Sequence, residues 1–582
     1  MTTDKADIRL SDLLILSIGL LIFNLLFLGG HQLISPDETR YVGVAWEMFK
    51  HDNYTVPTIA GSPFLGKPIL FYWLNIFAFK IFGVSEFAAR FFPAILTTLT
   101  ALFGYLAASI VFNRRVAILS VLLIAITPLF FALGHYANMD GEVASWLNLS
   151  LFSLIIALYL PVETKGRSLW LYLAYLFAAA AFLTKGLMGI VFPAMVLFFW
   201  FLILNNWKLL LKIRLISGLI LFLIVILPWF IIVENKYPGF MAYFFLWNQV
   251  VRFVGDNFNM HNPFYYYILL IIGGVFPWTF YFFQTYISQI KLIWHKRQQY
   301  KIELFLLLWV ILITIFFSIP TSKLPGYIGP VFPASAMLMA IYFDRIWTAK
   351  LSKVNIIATV ILAVIFALAA ITLLLLPLLW HDKAVYKTMP YGYFLSIVLL
   401  VGATTLFVGL RKRKPLKWFV ITIIIVNILM NLTLIAAIKY FRLQWNYPIA
   451  EKVQPVLKQY PNAQVFMIGR YYYAIPLYLD RDVGIVADWD KGQQLGDNWK
   501  REIYEGVNYL HHLPKDLVTY QVFSKRWQQA LKMHQPIIVI LSENPSDSQF
   551  RKLIGNSRYQ LVGEVPRRGA YIITNMKEDR NN

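Results

Sequence analysis

The sequence predicts an α-helical polytopic membrane protein that ends in a small α/β domain. Of its 582 residues, 59% are hydrophobic, and the mean hydropathy of +0.61 is too high for a soluble domain. About 13 apolar segments are long enough to cross a bilayer as helices. Beyond residue 440 the chain becomes polar, and short apolar runs alternate there with helix-like stretches.

The apolar segments that predict membrane-spanning helices follow one another through the first three quarters of the chain. They cover residues 13–30, 88–112, 116–133, 143–160, 169–183, 187–204, 213–233, 264–287, 304–319, 327–343, 354–379, 393–410 and 418–440. The two segments on either side of Lys185 are short, and the sequence leaves open whether they form two helices or one broken helix.

The distribution of basic residues predicts the orientation of these helices. If the N-terminus is cytoplasmic, every even-numbered connection carries a basic cluster, as cytoplasmic connections do. The clusters lie at residues 114–115, 165–167, 208–214, 291–301, 345–353 and 411–414. The net charge of +22 is therefore topogenic, and nucleic acid is not an expected partner. The acidic and aromatic connections all fall on the outer face.

Residues 441–582 predict a small α/β domain, which lies on the outer side if the number of spans is odd. Apolar runs at 463–468, 483–487 and 536–541 are typical of buried strands, and 471–479 and 524–534 are helix-like. We expect the domain to pack on the membrane part. The sequence leaves open whether it is a functional lid or platform or a purely structural cap.

The first polar connection, residues 31–87, is the strongest candidate for chemistry. Asp37 and Glu38 form a carboxylate pair at the end of an apolar helix, where charge is costly to keep, and Arg40 follows Asp37 by three residues. A carboxylate there can act as a general base or stabilise a developing positive charge. Lys67, next to a proline and an aromatic run, suits a lipid-linked phosphate. A lone lysine can also simply extend its ammonium group towards water.

Two later stretches place isolated charges at the ends of spans. Asp140 closes the run Gly-His-Tyr-Ala-Asn-Met-Asp, where it serves either as a second carboxylate of the site or as the N-cap of the next helix. Lys323 and Tyr327 open a span after a Pro-Gly break and are positioned for an anionic headgroup.

The long connection at residues 234–263 places Arg252 and His261 among aromatic side chains, which are more typical of an interfacial belt than of substrate contacts. The sequence contains no phosphate-binding P-loop, dinucleotide fingerprint or zinc-binding helix motif. It has no cysteine, which excludes disulfides and thiolate chemistry. Histidines are single apart from His511-His512, so no metal site is predicted.

Several of these motifs together resemble the polytopic GT-C glycosyltransferases. The first connection reads Ser-Pro-Asp-Glu-Thr-Arg-Tyr at 35–41 and Gly-Lys-Pro-Ile-Leu-Phe-Tyr-Trp at 66–73, followed by Gly-Val-Ser-Glu-Phe-Ala-Ala-Arg at 83–90. Asn-Pro-Phe-Tyr-Tyr-Tyr at 262–267 and Ser-Lys-Leu-Pro-Gly-Tyr at 322–327 fit the same pattern. Within this superfamily the chain is most similar to the bacterial lipid A aminoarabinose transferases, which are distant relatives of protein O-mannosyltransferases.

The resemblance implies a GT-C fold in which residues 1–440 form the transmembrane transferase domain. Its periplasmic catalytic loops would be 31–87 and 234–263, and 441–582 would be the periplasmic α/β domain. The implied catalytic carboxylates are Asp37 and Asp140. The residues implied to bind the donor phosphate are Lys67, Arg252 and Arg40. The residues implied to line the substrate cavity are Glu38, Tyr41, Tyr72, Lys323, Tyr327 and His261.

Two positions depart from the family pattern. Relatives often carry glutamate directly before the lysine, where this chain has Gly66, and Glu-His in the later connection, where it has Asn248-Gln249. In the family these acid and histidine positions look like metal contacts. We therefore expect that this chain needs no metal and no cofactor.

The resemblance implies that the protein moves an amino sugar, aminoarabinose, from undecaprenyl phosphate to a lipid A phosphate in the bacterial inner membrane. A related transferase acting on protein or another glycan is one alternative, and it would need Asp37 as a true base. A lipid or sugar transporter is the alternative from another class, because charge near a bilayer also marks transport paths. The charges here cluster at the outer ends of spans and no inverted repeat is evident, which favours the enzyme.

Overall fold

A computed structural model of the chain describes residues 9–251, 261–380, 383–441, 446–489, 499–546, 549–555, 557–565 and 570–576. The helices that precede the C-terminal domain are α1 (Leu10–Leu25), α2 (Asp37–Lys50), α3 (Leu70–Phe82), α4 (Glu86–Val111), α5 (Arg114–Ile126), α6 (Pro128–Gly134), α7 (Met139–Tyr159), α8 (Lys165–Lys185), α9 (Met188–Leu204), α10 (Leu215–Lys236), α11 (Phe240–Val251), α12 (Tyr266–Gly274), α13 (Thr279–His295), α14 (Lys301–Ser318), α15 (Val331–Arg345), α16 (Lys353–Leu379), α17 (Lys383–Arg411) and α18 (Leu416–Ala437). A hairpin of two short strands, β1 (Thr58–Ile59) and β2 (Ser62–Pro63), lies between α2 and α3.

The prediction of a polytopic helical protein is confirmed. Among the described residues, nine helices are long and apolar enough to cross a membrane. Two bent pairs of helices, with 66° between α5 and α6 and 113° between α12 and α13, raise this number to 11 if each pair crosses as one span. The apolar helices α1 and α9 are shorter, at 16 and 17 residues. Every predicted segment thus corresponds to one apolar helix or one bent pair.

Prolines and one glycine account for the interruptions. Pro128 begins α6, and Pro277 lies between α12 and α13; a proline has no N–H to continue the ladder of the preceding helix. Gly186 follows Lys185 with a φ of 96°, a conformation that favours glycine. Lys185 therefore ends one helix, and α8 and α9 are two helices rather than one.

The chain divides into two compact units, of which the first is the helical membrane part. It comprises Met1–His31, Arg90–Pro228 and Asn259–Phe441. Its central helices are α7 and α15, which are buried along almost their whole length, whereas α16 is mostly exposed. A single apolar core runs through these helices. The polar start of α7 is consequently enclosed by protein.

The second unit combines the polar connections with the C-terminal residues. It comprises Gln32–Ala89, Trp229–Phe258 and Arg442–Asn582. The elements of its C-terminal part are α19 (Tyr447–Gln459), β3 (Gln464–Ile468), α20 (Ile475–Leu479), β4 (Gly484–Val486), α21 (Trp499–Val507), β5 (Leu517–Val518), α22 (Tyr520–Met533), β6 (Ile537–Leu541), α23 (Gln549–Ile554), β7 (Gln560–Val565) and β8 (Ala570–Thr574).

The C-terminal strands form one six-stranded sheet in the order β5-β4-β3-β6-β8-β7. Strands β5, β4, β3 and β6 are parallel, and β8 and β7 add antiparallel to β6. Strand β6 is buried at every position, which explains its unbroken apolar run. The predicted strands are confirmed as β3, β4 and β6. Within the predicted helical stretch 471–479, the helix itself begins at Ile475.

Candidate active site

The carboxylate pair opens a helix. Asp37 and Glu38 lie in the first turn of α2, where the positive end of the helix dipole favours negative charge. The fully buried Glu38 accepts a hydrogen bond from the backbone N–H of Ile34 at 2.7 Å. This contact resembles the backward reach of a capping-box acid and fixes the chain as it enters the helix. Of the pair, Asp37 is the partly exposed member.

Arg40 joins two carboxylates in the second unit. Its Nη2 donates to Asp37 Oδ1 at 2.9 Å, and its Nη1 donates to Glu502 Oε1 at 2.5 Å. Nη2 also donates to the hydroxyl of Tyr41 at 3.1 Å. Glu502 lies on α21 and accepts a further hydrogen bond from Tyr473 at 2.7 Å. Arg40, which the resemblance assigns to the donor phosphate, is thus held between Asp37 and the C-terminal domain.

The Tyr473 phenol is a fixed donor in this cluster. Burial and the neighbouring Glu502 carboxylate raise the pKa of Tyr473 well above its ordinary value. The phenol therefore stays protonated and keeps donating to Glu502, which leaves the other carboxylate oxygen to Arg40. The sequence analysis missed both Glu502 and Tyr473, because neither residue lies in a sequence motif that marks it as part of a site.

Two tyrosines predicted to line the cavity lie beside this cluster. The guanidinium carbon of Arg40 is 4.6 Å from the ring centroid of Tyr41, a cation–π contact. The Tyr41 ring meets Phe71 edge-on at 5.9 Å. The hydroxyl of Tyr72 is buried, and within the described residues it has no hydrogen-bond partner. Because a buried hydroxyl is normally paired, Tyr72 is a candidate substrate contact.

Lys67 directly follows Gly66, which is hydrogen-bonded to the connection at residues 234–263. The side-chain Nδ2 of Asn248 donates to the carbonyl of Gly66. Lys67 itself is half-buried. A direct hydrogen bond therefore joins the first connection and the connection at residues 234–263. It lies at Gly66 and Asn248, the positions that look like metal contacts in the family. In the part of the chain that the structure describes, no group of three or more His, Cys, Asp or Glu side chains could hold a metal ion. That transfer needs no metal stays a prediction.

Helix α21 makes hydrogen bonds with both polar connections, residues 31–87 and 234–263. Glu505 accepts from the hydroxyl of Tyr243 and, at 2.7 Å, from Arg501. Ser62 in the first connection donates its hydroxyl to the carbonyl of Ile503 at 2.8 Å. A Cβ on Gly506 would lie 2.1 Å from the carbonyl oxygen of Pro63, so only glycine permits this approach. The C-terminal part of the unit thus takes part in positioning Arg40 and Asp37.

The first unit contains a separate ion pair at the start of α7. Asn138 is the N-cap, because its side chain accepts from the backbone N–H of Asp140 at 2.9 Å. Asp140 is therefore not the cap, and its carboxylate accepts from Lys185 Nζ instead. Both side chains are more than nine-tenths buried. A buried carboxylate needs such a partner, since an unpaired charge is costly there.

The Pro-Gly motif encloses this pair. Lys185 Nζ lies 4.0 Å from the ring centroid of Tyr327. A Cβ on Gly326 would lie 2.5 Å from Asp140 Cβ, so glycine is required for the motif to approach the carboxylate. The structure brings Asp140 and Tyr327 together through Lys185, which the sequence analysis did not select. A lone lysine between two apolar segments was the available signal.

The three other predicted residues of the later connections are Lys323, His261 and Arg252, and the contacts seen for the first two are with residues of the same connections. Lys323 Nζ donates to the carbonyls of Asn262, at 3.0 Å, and Pro320, so this side chain closes the loop onto itself. Burial lowers the pKa of Lys323. His261 is exposed, and its backbone pairs with Ser322. Arg252 lies outside the described residues.

Comparison with known proteins finds that the chain is similar to named glycosyltransferases. Residues 14–244 match the family described as dolichyl-phosphate-mannose-protein mannosyltransferase. A Pseudomonas aeruginosa protein named undecaprenyl phosphate-alpha-4-amino-4-deoxy-L-arabinose arabinosyl transferase is 31% identical over 409 residues, 70% of this chain and 72% of that protein. A Proteus mirabilis protein with the same enzyme name is 32% identical over 379 residues, 64% of this chain and 66% of that protein. The chain thus spans just under two thirds of the Proteus relative.

The fold also has a solved counterpart. The crystal structure of ArnT from Cupriavidus metallidurans bound to undecaprenyl phosphate matches with a TM-score of 0.79 and 21% identity, covering 98% of this chain and 99% of that chain. The apo structure of the same protein matches with a TM-score of 0.75 and 21% identity, covering 97% of each chain. The shared fold therefore includes the C-terminal α/β part.

Proposed function

The chain belongs to the undecaprenyl phosphate-aminoarabinose arabinosyl transferase family, and we propose that it transfers 4-amino-4-deoxy-L-arabinose from undecaprenyl phosphate to a phosphate of lipid A. In a chain of this family, the observation that carries the proposal is the Asp37 carboxylate held in place by Arg40. A carboxylate that is held in one orientation at a membrane surface can bind the positive charge of an amino sugar.

The reaction exchanges one phosphate for another on the sugar. The bond between the anomeric carbon and the donor phosphate oxygen breaks, and its electron pair leaves with undecaprenyl phosphate. An oxygen of the acceptor phosphate forms the new bond to the same carbon. Because that acceptor is already anionic, no proton has to be removed. The main demand is stabilisation of charge on the departing phosphate, which a cation supplies.

Lys67 is the proposed cation at the departing phosphate. Its side chain is half-buried, and the hydrogen bond between Asn248 and Gly66 fixes the backbone directly before it. A partly desolvated ammonium interacts more strongly with a phosphate than one in bulk water. We propose the same role for Arg252. Arg40 acts instead as the residue that positions Asp37.

Asp37 is proposed to orient the sugar, and Asp140, in the first unit, is a separate catalytic candidate. Arg40 occupies Oδ1 of Asp37, which leaves Oδ2 to face a positive charge, either the amino group of the sugar or the charge that develops on its ring. Asp140 is held by Lys185 in a comparable manner. For an acceptor that is a hydroxyl, as on a protein, Asp37 would have to act as a base.

The protein is a multi-pass membrane protein, and we propose that Asp37 and Asp140 face the periplasm from the inner membrane. The alternation of basic clusters with the acidic connections supports this orientation. Single cysteines can be introduced cleanly into this cysteine-free chain. In intact cells, an impermeant thiol reagent should label a cysteine near Asn53 and not one near Lys412; the reverse pattern would contradict the orientation.

Mass spectrometry of lipid A tests the proposed function. Bacteria that make the donor should show lipid A with added aminoarabinose when the protein is expressed, and not when Asp37→Asn replaces it. Unmodified lipid A together with a newly glycosylated protein or other glycan would favour the alternative acceptor.

A further inference from the structure

The first unit contains a groove that the proposed chemistry does not use. A cavity of about 250 Å³ lies among α7, α8, α9 and α10. Its walls are almost entirely apolar and include Leu154, Ala178, Leu197 and Phe222. An apolar cavity of this kind within membrane-spanning helices is suited to hydrocarbon.

One wall of the groove is fixed by a specific contact between α8 and the residues just before α10. The Tyr175 hydroxyl donates to the carbonyl of Ile213 at 3.2 Å, and both residues line the groove. A Cβ on Gly218 would lie 2.1 Å from the Tyr175 ring, so glycine allows the ring to lie against α10. The groove is therefore a built feature of the helix packing.

Two arginines lie at one end of the groove. Arg214 stands between the lining residues Ile213 and Leu215, and its Nη1 is 3.4 Å from the Tyr172 hydroxyl, to which it donates. Arg167 is 3% exposed, and its Nε donates to the carbonyl of Ala157 at 2.8 Å. Both arginines meet the first turns of α8, because Arg167 lies in its first turn and Tyr172, the partner of Arg214, lies five residues later on the same helix. An anion beside them would be attracted by both positive charges.

We propose that the groove binds one acyl chain of a phospholipid whose anionic headgroup lies against Arg214 and Arg167. The apolar walls suit the chain, and the paired cations suit the phosphate. The cluster is distinct from the ion pair of Asp140 and Lys185, because Arg167 and Lys185 lie 18 residues apart on α8, about 27 Å along the helix. A narrow groove of this volume suits an unbranched acyl chain better than a long branched isoprenoid.

Native mass spectrometry of the purified full-length protein can test the site. The protein in detergent is titrated with phosphatidylglycerol and with phosphatidylcholine that carry identical acyl chains. Wild type should retain phosphatidylglycerol about fivefold more strongly, the scale of one cation at an anionic lipid. Arg214→Gln should remove this preference. Arg297→Gln is the matched control: Arg214 lies over the ring of Tyr172, and Arg297 lies in the same way over the ring of Trp294 in another basic connection.

A second variant tests the groove itself. Ala194 lines the groove and is exposed, so Ala194→Phe should fill it and weaken the binding of both lipids. The unfolding temperature without lipid should stay at the wild-type value, which separates filling from misfolding. If this variant is unstable, the proposal is tested by the comparison of Arg214→Gln with Arg297→Gln. Equal retention of both lipids by wild type, or equal effects of the two arginine variants, would overturn the proposal. So would undecaprenyl phosphate displacing phosphatidylglycerol in an Arg214-dependent way.

Discussion

Arg40 and Glu502 are 462 residues apart in the chain, and their side chains form an ion pair at 2.5 Å. The same guanidinium donates to Asp37. A residue of the C-terminal domain therefore holds the arginine that holds the candidate catalytic carboxylate. This relationship gives the domain a role in positioning the site, beyond that of a passive cap.

Glu502→Gln should lower turnover while leaving donor binding nearly unchanged. The substitution weakens a charge-assisted bond to Arg40 and so loosens Asp37, without removing a group that touches substrate. A hydrogen bond between charged groups is worth roughly 1.5–3 kcal/mol, so kcat should fall about tenfold or more. Steady-state kinetics with the donor varied will separate kcat from KM.

The matched control for this variant is Glu451→Gln, which removes an exposed carboxylate from α19 in the same domain. Tyr473→Phe should have a smaller effect than Glu502→Gln, because it removes only the second bond to Glu502. A rise in the KM for the donor with kcat unchanged would show that Glu502 binds substrate instead.

Lys67→Ala should lower both donor binding and turnover. The ammonium group is proposed to meet the donor phosphate in the ground state and to stabilise it more strongly as it leaves. Removing one such group costs roughly 2–4 kcal/mol of transition-state stabilisation. Donor binding and transfer measured for Lys67→Ala, Asp37→Asn and the double variant will show whether the two residues act as a unit. Near-normal transfer by Lys67→Ala would reassign the phosphate to Arg252 or Lys323.

Lys185→Met should destabilise the protein by leaving Asp140 buried without its partner. Breaking a buried ion pair in this way costs about 3–5 kcal/mol, whereas neutralising both members costs much less. The unfolding temperature in detergent should therefore fall for Lys185→Met and largely recover in Lys185→Met with Asp140→Asn. Transfer should not recover in the double variant. A single variant as stable as wild type would show that the pair is not structurally important.

Chelation should leave transfer unchanged. The positions that look like metal contacts in the family are Gly66 and Asn248 here, and these two residues are joined by a direct hydrogen bond. The purified protein, treated with a strong chelator and dialysed, should keep its full rate, and added zinc should not raise it. Activity lost to the chelator and restored by a divalent ion would mean that another metal site supports the reaction.

The membrane-spanning helices could be predicted from the sequence because hydropathy is a local property. Each span carries its own apolar run, and the basic connections mark its ends. The buried strands β3, β4 and β6 could be predicted for the same reason. Strand β5 has only two residues, and β7 has one exposed position and five half-buried ones, so neither has a comparable local pattern.

The candidate residues of the first connection were also predictable, because adjacent carboxylates and a lysine beside a membrane helix are unusual. Their partners were not. Glu502 and Tyr473 meet Arg40 only through the tertiary fold, and Lys185 reaches Asp140 from the far end of the next helix. Whether Asp140 was a cap or a charged partner depended on Asn138, which takes the capping position.

Transfer by the purified protein tests the central claim most directly. The protein is incubated with aminoarabinose-phosphoundecaprenol and lipid A, and both products are measured by mass spectrometry. Wild type should form aminoarabinose-modified lipid A and an equal amount of undecaprenyl phosphate, and Asp37→Asn should bind the donor without forming either product. Wild type that moves the donor across a vesicle membrane without transferring the sugar, or Asp37→Asn that transfers at the wild-type rate, would contradict the account.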